Sequence, residues 1–238
     1  MQANDIAKMF MEMGGEFISS PISLSKKLKR VRALIFDWDG VWHDGKKNGA
    51  GTSSFSEVDS MGLNMLRFGY YLRNECIPMT FIITGEKNHT AFDFAEREHL
   101  DGVFFKAKDK LRTFQFIKQK YGFKDDETLF VFDDILDLAM AEACGVGYMI
   151  NRKGSPLMHA LVEKKKWCDY KSAATGNSHA VREVSELSLG LLGNFNEVVE
   201  KRMHFAPEYA NYWRMRNGIK TVFYTSENGE TEQIERPI

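Results

Sequence analysis

The chain has 238 residues, 43% of them hydrophobic, and its 32 basic and 33 acidic residues give a formal net charge of −1. This length fits one large domain, or one smaller domain with additional segments at its ends. The apolar fraction is sufficient for a core and argues against global disorder, while the balanced charge argues against nucleic acid or an anionic membrane as a partner.

Three further features argue against other protein classes. The longest apolar runs, such as Ala33–Phe36 and Leu129–Phe132, are strand-sized and much shorter than the ~20 residues of a membrane span. The N-terminus has no basic segment of the kind that begins a secretory signal. Cys76, Cys144 and Cys168 lack metal-like spacing and predict free thiols. We therefore expect a cytoplasmic protein.

The first 28 residues predict a helical arm. Apolar residues recur at helical spacing over Ile6–Met13, Gly14-Gly15 ends that pattern, and Ser20-Pro21 begins a second short segment.

A regular alternation of two kinds of segment follows over residues 29–192. Apolar runs predict strands at Val31–Phe36, Met79–Ile83, Val103–Phe105, Leu129–Phe132 and Val146–Ile150. Amphipathic segments predict helices at Met61–Arg73, Thr90–His99, Lys110–Tyr121 and Leu136–Ala143. This alternation predicts the α/β class, with a Rossmann-like parallel sheet and helices on both of its faces.

Residues 193–238 predict a C-terminal extension. Asn194–Phe205 has a mixed helical pattern, and a hairpin of Thr221–Tyr224 and Thr231–Ile234 is predicted around Asn228-Gly229. Between them lies an aromatic cluster of Phe205, Tyr209, Tyr212 and Trp213. This cluster is interpreted either as a lid or subunit interface, or as packing on its own core.

The first strand of the alternation leads into two carboxylates. In an extended chain, Asp37 and Asp39 share a face while Trp38 points away, and open α/β sheets hold their ligands at this end of a strand. The alternative is that Asp-x-Asp-Gly only begins a turn.

A second acidic group, Asp133-Asp134 with Asp137, follows the fourth strand. The alternative here is a helix N-cap with an acidic first turn. Carboxylates at neighbouring strand ends would raise one another's pKa, and a divalent cation would remove that conflict. Oxygen ligands without nearby His or Cys favour Mg²⁺.

Two other strands also end in polar groups. Thr84-Gly85 follows the second strand, and Lys106–Lys110 follows the third. Each pattern alone is typical of a solvated loop, but four successive strands with suitable chemistry indicate a shared site.

The ordered set Asp37-x-Asp39-Gly40, Thr84-Gly85, Lys110 and Asp133-Asp134-x-x-Asp137 resembles the haloacid dehalogenase superfamily of phosphohydrolases. Further stretches resemble its capless branch, whose members act on octulosonate 8-phosphate and on sialic acid or keto-deoxy-nononate 9-phosphates. These stretches are Gly40–Gly45, Asp59–Gly62 and Ala180–Glu183. The resemblance extends from about Val31 to Leu192.

The resemblance implies a role for each matching residue. Asp37 would be the nucleophile that becomes an aspartyl-phosphate, and Asp39 would be the general acid and base. Thr84 and Lys110 would hold phosphoryl oxygens. The implied Mg²⁺ ligands are Asp37, the Asp39 backbone carbonyl and Asp133, with Asp134 nearby and Asp137 supporting them.

Substrate contacts are implied for Gly85, Glu86, Asp59, Ser60 and Arg97. Glu86 would accept hydrogen bonds from sugar hydroxyls, and Arg97 would meet the sugar carboxylate. The alternative is that Glu86 caps a helix and Arg97 is a solvated charge.

The resemblance therefore implies a Mg²⁺-dependent phosphatase acting on a phosphorylated nine-carbon, or eight-carbon, 2-keto-3-deoxy sugar acid. The resemblance also implies a homotetramer. One alternative is a catalytically weak relative that serves as a binding or assembly subunit. It is motivated by Phe132, where the family has glycine, and by the short Lys46–Ser54 segment, where relatives have a hairpin. A phosphoacceptor receiver domain is disfavoured because such domains carry the paired acids on the first strand.

Overall fold

The computed structural model describes residues 2–48, 52–227 and 230–237. Its strands are β1 (Glu16–Phe17), β2 (Ala33–Phe36), β3 (Met79–Ile83), β4 (Gly102–Phe105), β5 (Thr128–Phe132), β6 (Val146–Met149), β7 (Tyr170–Lys171), β8 (Val222–Thr225) and β9 (Glu232–Ile234). Its helices are α1 (Ala3–Glu12), α2 (Pro21–Leu28), α3 (Glu57–Asn74), α4 (His89–Arg97), α5 (Lys110–Tyr121), α6 (Leu138–Ala143), α7 (Pro156–Lys165), α8 (Ala180–Leu192), α9 (Phe195–Met203) and α10 (Pro207–Asn217). Over the described ranges, no helix has both the length and the apolar character needed to cross a membrane.

The described strands form one sheet in the order β1-β7-β6-β5-β2-β3-β4-β8-β9. Neighbouring strands from β7 to β8 are parallel, while β1 and β9 are antiparallel to the strands beside them. The predicted α/β class is confirmed. The chain proceeds from β2 to β3 and β4 on one side, and β5 then lies on the other side of β2. A crevice is expected where the direction of winding changes in this way, at the carboxyl ends of β2 and β5.

The alternating side chains of β2 explain why helices cover both faces of the sheet. Ala33 and Ile35 belong to one buried apolar cluster, whereas Leu34 and Phe36 belong to another. All four are fully buried, and burying a side chain such as Leu, Ile or Phe contributes roughly 1.5–3 kcal/mol. Helices α5, α6 and α7 contribute to the first cluster, and α1, α2, α3, α4 and α8 contribute to the second.

The segments at the two ends pack against the central fold. Helices α1 and α2 contact α8, and β1 pairs with β7. At the other end β8 pairs in parallel with β4, so the C-terminal segment extends the sheet. The predicted hairpin is confirmed as β8–β9, although its predicted turn, Asn228-Gly229, lies outside the described residues. The domain boundaries at residues 28 and 192 stay predictions.

The C-terminal aromatic cluster divides into a buried and an exposed pair. Tyr209 and Tyr212 are buried, and both rings lie 5.1 Å from the ring of Phe68 on α3. Phe205 and Trp213 are 54% and 47% exposed. Packing on its own core therefore accounts for the two tyrosines.

Candidate active site

The loop after β2 brings two carboxylates into one cavity of about 490 Å³. Asp37 and Asp39 both line it, whereas Trp38 points into the core, with its ring 5.8 Å from Trp42. Gly40 follows with a φ of +90°, and a Cβ there would lie 2.0 Å from Asp133 Oδ2. This left-handed turn requires glycine, because a larger residue would be strained and would collide with the acid on β5.

Lys110 joins two buried carboxylates at the base of the cavity. Its Nζ lies 2.6 Å from Asp37 Oδ1 and 2.5 Å from Asp137 Oδ1. Asp109 caps α5 by accepting a hydrogen bond from the Arg112 backbone N–H, which makes Lys110 the first helical residue. Burial opposes the charge on Lys110, but the two acids outweigh it and raise the pKa of this amine.

The carboxylate of Asp137 forms hydrogen bonds with the loop that carries Asp133 and Asp134. Its Oδ2 accepts hydrogen bonds from the backbone N–H groups of Asp133 and Asp134, at 3.4 and 3.2 Å. Its Oδ1 accepts from Lys110. Because both oxygens are engaged, this fully buried residue orients Lys110 and the loop after β5.

The two acids after β5 differ in their surroundings. Asp134 Oδ1 accepts a hydrogen bond from the Ile135 N–H at 2.7 Å, so it caps a short 3-10 turn, Ile135–Asp137. Its Oδ2 accepts from Arg152 at 2.6 Å. Asp133 is 1% exposed, and its Oδ1 has no hydrogen-bond partner in the described part of the chain.

The donor set fits a divalent cation bound by oxygen. Carboxylate oxygens of Asp37, Asp133 and Asp137 lie within 4.8 Å of one another, and all three residues are buried. The described cavity lining has six carboxylates and four cations, so its fully ionised groups carry two surplus negative charges. Burial raises the pKa of Asp37 to about 7. Burial, with the charge of Asp37, raises the pKa of Asp133 to about 8. Mg²⁺ would offset the surplus, and Asp37 with the unpartnered oxygen of Asp133 would hold it.

Asp39 lies beside nitrogen atoms of Lys47 and His43. Lys47 Nζ lies 3.0 Å from its Oδ2, and His43 Nε2 lies 3.2 Å from its Oδ1 without the alignment of a hydrogen bond. Burial opposes ionisation of Asp39, but the contacts with His43 and Lys47 outweigh burial and lower its pKa. The carboxylate is therefore ionised in the free protein.

The strand end after β3 contributes backbone and one side chain to the cavity. Gly85 and Glu86 line it, while Thr84 is fully buried beneath them. The Thr84 hydroxyl accepts a weak hydrogen bond from the Glu86 N–H at 3.5 Å. Among the residues that the structure describes, no atom would lie within 4 Å of a Cβ at Gly85, so they leave the space above this turn open.

Comparisons with known proteins agree with this geometry. No model of a known protein family matches the chain. It is 26% identical over 175 residues to the 3-deoxy-D-manno-octulosonate 8-phosphate phosphatase of Escherichia coli K12, covering 72% of this chain and 86% of that protein. A haloacid dehalogenase superfamily (subfamily IIIA) hydrolase of Legionella pneumophila is 26% identical, with a TM-score of 0.63 over 76% of this chain and 94% of the other.

A third relative has been solved with ligands in place. The octulosonate 8-phosphate phosphatase of Moraxella catarrhalis, in complex with magnesium, phosphate and its sugar acid, is 25% identical. Its TM-score is 0.61, over 75% of this chain and 97% of that one. The chain has the haloacid dehalogenase-like fold. The resemblance predicted from its motifs to the capless branch of that superfamily is confirmed.

The haloacid dehalogenase resemblance also implied three contacts away from the strand ends. Over the described residues, Asp59, Ser60 and Arg97 do not line the cavity. Asp59 is fully buried, and its Oδ1 accepts from the Arg182 N–H at 2.8 Å. Their role in substrate binding stays a prediction based on resemblance.

Ser60 and Arg97 belong to a separate polar cluster. Arg97 contacts Glu57 at 2.5 Å and Glu98 at 3.0 Å, and it donates to the Ser60 hydroxyl at 2.9 Å. Ser60 in turn donates to Glu98. These contacts satisfy the charge of Arg97 between α3 and α4.

Phe132 occupies the position where the haloacid dehalogenase motif has glycine, and it is not among the described residues that line the cavity. Phe132 is not among the described residues that have a positive, left-handed φ. Its ring is fully buried and stacks on the ring of Phe130, with 5.5 Å between the two ring centroids. The side chain therefore packs in the core beneath the loop.

Two basic side chains that line the cavity, Lys47 and Arg152, were not predicted from the sequence. Lys47 lies in the Lys46–Ser54 segment between β2 and α3, and Arg152 lies just after β6. Arg152 follows an apolar run in the same way as the predicted site residues, so the strand-end rule could have identified it. Lys47 had no such signal, and residues 49–51 of its segment lie outside the described ranges.

Proposed function

We propose that the protein is a Mg²⁺-dependent phosphatase that hydrolyses a phosphorylated 2-keto-3-deoxy sugar acid through an aspartyl-phosphate. Similarity to the octulosonate phosphatases supports a phosphoric monoester hydrolase. The observation that carries the proposal is Asp37, which lies 2.6 Å from Lys110 and close to Asp133, at the switch point of the sheet.

The first step would transfer the phosphoryl group to Asp37. One Asp37 oxygen would attack phosphorus as the bond to the leaving sugar oxygen breaks, and Asp39 would pass to that oxygen a proton taken up from the substrate phosphate. Lys110 would contact both Asp37 and a phosphoryl oxygen, and so restrain the nucleophile. Bound Mg²⁺ would supply positive charge to the phosphoryl oxygens and to the carboxylates.

The second step would hydrolyse the aspartyl-phosphate. Ionised Asp39 would take a proton from water, which attacks phosphorus and releases Asp37. His43 and Lys47 favour this ionised form, since their contacts lower the pKa of Asp39. Phosphate-monoester hydrolysis can need acceleration of up to ~10²¹-fold. A charge-assisted hydrogen bond contributes only ~1.5–3 kcal/mol, so these groups would have to act together.

A second cavity supports an extended polar substrate. It has a volume of about 440 Å³ and shares Gly85, Glu86 and Lys108 with the first cavity. Its other lining includes Arg112 and the hydroxyl-bearing residues Thr113, Ser226 and Thr231. Hydroxyl groups suit a sugar chain, and a guanidinium suits a carboxylate. The resemblance implies eight- and nine-carbon sugar acids as substrates, and we propose that their carbon chain extends into this second cavity.

The resemblance is also the basis for proposing a cytoplasmic homotetramer. Analytical ultracentrifugation of the whole chain would measure its assembly, and a monomer at all concentrations would contradict the tetramer.

Phosphate release from a substrate panel tests the proposed activity. The panel holds octulosonate 8-phosphate, sialic acid 9-phosphate, keto-deoxy-nononate 9-phosphate and glucose 6-phosphate, each with Mg²⁺ or with EDTA. We expect Mg²⁺-dependent release from a sugar acid phosphate, its loss in Asp37→Asn, and no change in Asp93→Asn, which alters an exposed acid on α4. Folded protein that releases no phosphate from any member would favour the binding-subunit alternative.

A further inference from the structure

The guanidinium of Arg152 places a positive charge of the protein itself beside the carboxylates of Asp133 and Asp134. Its Nη2 lies 2.7 Å from Asp133 Oδ2, and its Nη1 lies 2.6 Å from Asp134 Oδ2. The backbone beside it is fixed, because the Asn151 N–H donates to the Ser172 hydroxyl at 3.0 Å. The guanidinium therefore reaches the end of β5 from a well-anchored position at the end of β6.

The loop after β2 leaves room for this guanidinium. A Cβ at Gly40 would lie 2.8 Å from Arg152 Nη2, and one at Gly45 would lie 3.4 Å from the same atom. Both glycines have left-handed φ values, +90° and +81°. Gly40 and Gly45, which have no side chain, thus face the arginine, and a side chain at position 40 would displace it.

The two contacts of Arg152 are unequal. Nη1 forms an aligned hydrogen bond with Asp134, whose side chain is 44% exposed. Nη2 lies close to Asp133 but is not aligned as a hydrogen bond, and the other oxygen of this buried acid has no partner among the described residues. Asp134 consequently accepts a hydrogen bond from the arginine, whereas Asp133 still has an oxygen that can bind a cation.

We propose that Arg152 is a positioning residue that competes with the divalent cation for Asp133 while holding Asp134 aside. The inference rests on the Mg²⁺ site of the proposed function. A cation bound through the unpartnered Oδ1 of Asp133 would share that carboxylate with Nη2, which lies at its Oδ2, so the two positive charges compete for it while Nη1 stays on Asp134. The cation affinity of this protein is therefore lower than its carboxylates alone would give, and the enzyme responds to Mg²⁺ at a higher concentration.

Arg152→Met tests this competition, since methionine keeps much of the side-chain volume and removes the charge. Isothermal titration of Mg²⁺ into EDTA-stripped, dialysed protein measures the affinity without any substrate. We expect the variant to bind Mg²⁺ about tenfold more tightly, which corresponds to about 1.4 kcal/mol. A purely structural role for Arg152 would leave the affinity unchanged or weaken it.

Arg236→Met is the matched control. Arg236 also contacts two carboxylates, Asp93 and Glu96, and its side chain is 38% exposed against 34% for Arg152. We expect the control to bind Mg²⁺ as the wild type does. Arg152→Lys keeps the charge but loses the two-pronged contact, so we expect an intermediate affinity. It also provides the test should Arg152→Met fail to fold.

The outcomes separate this inference from the proposed function. Unchanged or weaker Mg²⁺ binding in folded Arg152→Met overturns the competition, even if wild-type protein hydrolyses sugar acid phosphates. Tighter binding without any phosphatase activity upholds the competition and refutes the function. An equal increase in the Mg²⁺ affinity of Arg236→Met would also overturn the inference. The loss of one positive charge from the protein, and not the position of Arg152, would then explain the tighter binding.

Discussion

Removal of the Lys110 charge should destabilise the fold as well as stop catalysis. Lys110 is 3% exposed and separates two buried carboxylates, with its Nζ 2.6 Å from Asp37 and 2.5 Å from Asp137. Lys110→Met keeps the length of the side chain but leaves both acids without their cation. The structure thus predicts an effect larger than the loss of a surface ion pair.

The magnitude follows from the burial of all three groups. Removing one partner of a buried ion pair costs ~3–5 kcal/mol. In a chain of this size, 1 kcal/mol corresponds to a Tm change of ~2–4 °C, so a decrease of about 6–20 °C is expected. Lys110→Met combined with Asp137→Asn removes one of the stranded charges, and coupling of ~0.5–3 kcal/mol should recover part of the loss.

Urea unfolding and thermal melts in EDTA measure these changes. The matched control is Lys118→Met on the same helix, because Lys118 forms an exposed ion pair with Asp125. That pair should contribute less than ~1 kcal/mol. If Lys110→Met lowers the unfolding free energy by no more than the control does, the buried triad does not stabilise the fold as argued.

Three other predictions concern pH, the substrate and the core. First, the folded pKa of Asp133 is about 8 against an ordinary value of 3.8, so between these values the unfolded chain binds fewer protons than the folded one. The unfolding free energy of EDTA-treated protein should therefore fall as the pH rises through this window, with a weaker dependence in Asp133→Asn; an equal slope in both proteins contradicts this assignment. Second, Arg112→Gln should raise the KM for the preferred sugar acid phosphate by roughly tenfold, the equivalent of one charge-assisted contact, and leave hydrolysis of p-nitrophenyl phosphate unchanged. A parallel change for both substrates would indicate that Arg112 acts on the chemistry or the fold instead. Third, Phe132→Gly should destabilise the protein by at least ~3–5 kcal/mol through the cavity it leaves, and kcat measured well below its Tm should not increase. An increase in kcat would mean that Phe132 hinders the site after all.

Sequence periodicity was sufficient for the parts of the fold that depend on neighbouring residues. Strand Met79–Ile83 and helix Lys110–Tyr121 have the bounds predicted from their patterns. The pairing of Asp37 and Asp39 on one side, with Trp38 in the core, follows from alternation along an extended chain. Helix α10 was not predicted, since its aromatic residues obscure the apolar periodicity.

The motif order also identified most of the candidate site. The acids after β2 and β5, and the lysine at the start of α5, come together because parallel strands place their carboxyl ends at one edge. A motif identifies the acidic residues of a site, but it does not show which basic side chains neutralise their charges. Spacing alone could not show that Arg97 lies outside the cavity, because its partner Glu57 is on α3, 40 residues away in the sequence.

The sequence by itself therefore determined the five strands of the alternation, the C-terminal hairpin, the chemistry at the strand ends and the family resemblance, because these depend on local periodicity and on residue identity. Only the tertiary structure decided which charges meet. Arg152 reaches Asp133 because β6 lies beside β5, and Asp137 receives Lys110 because α5 begins at the same edge. The C-terminal hairpin borders a cavity because β8 pairs with β4. Each of these contacts joins residues distant in sequence, and their proximity is set by strand order and helix packing rather than by any local pattern.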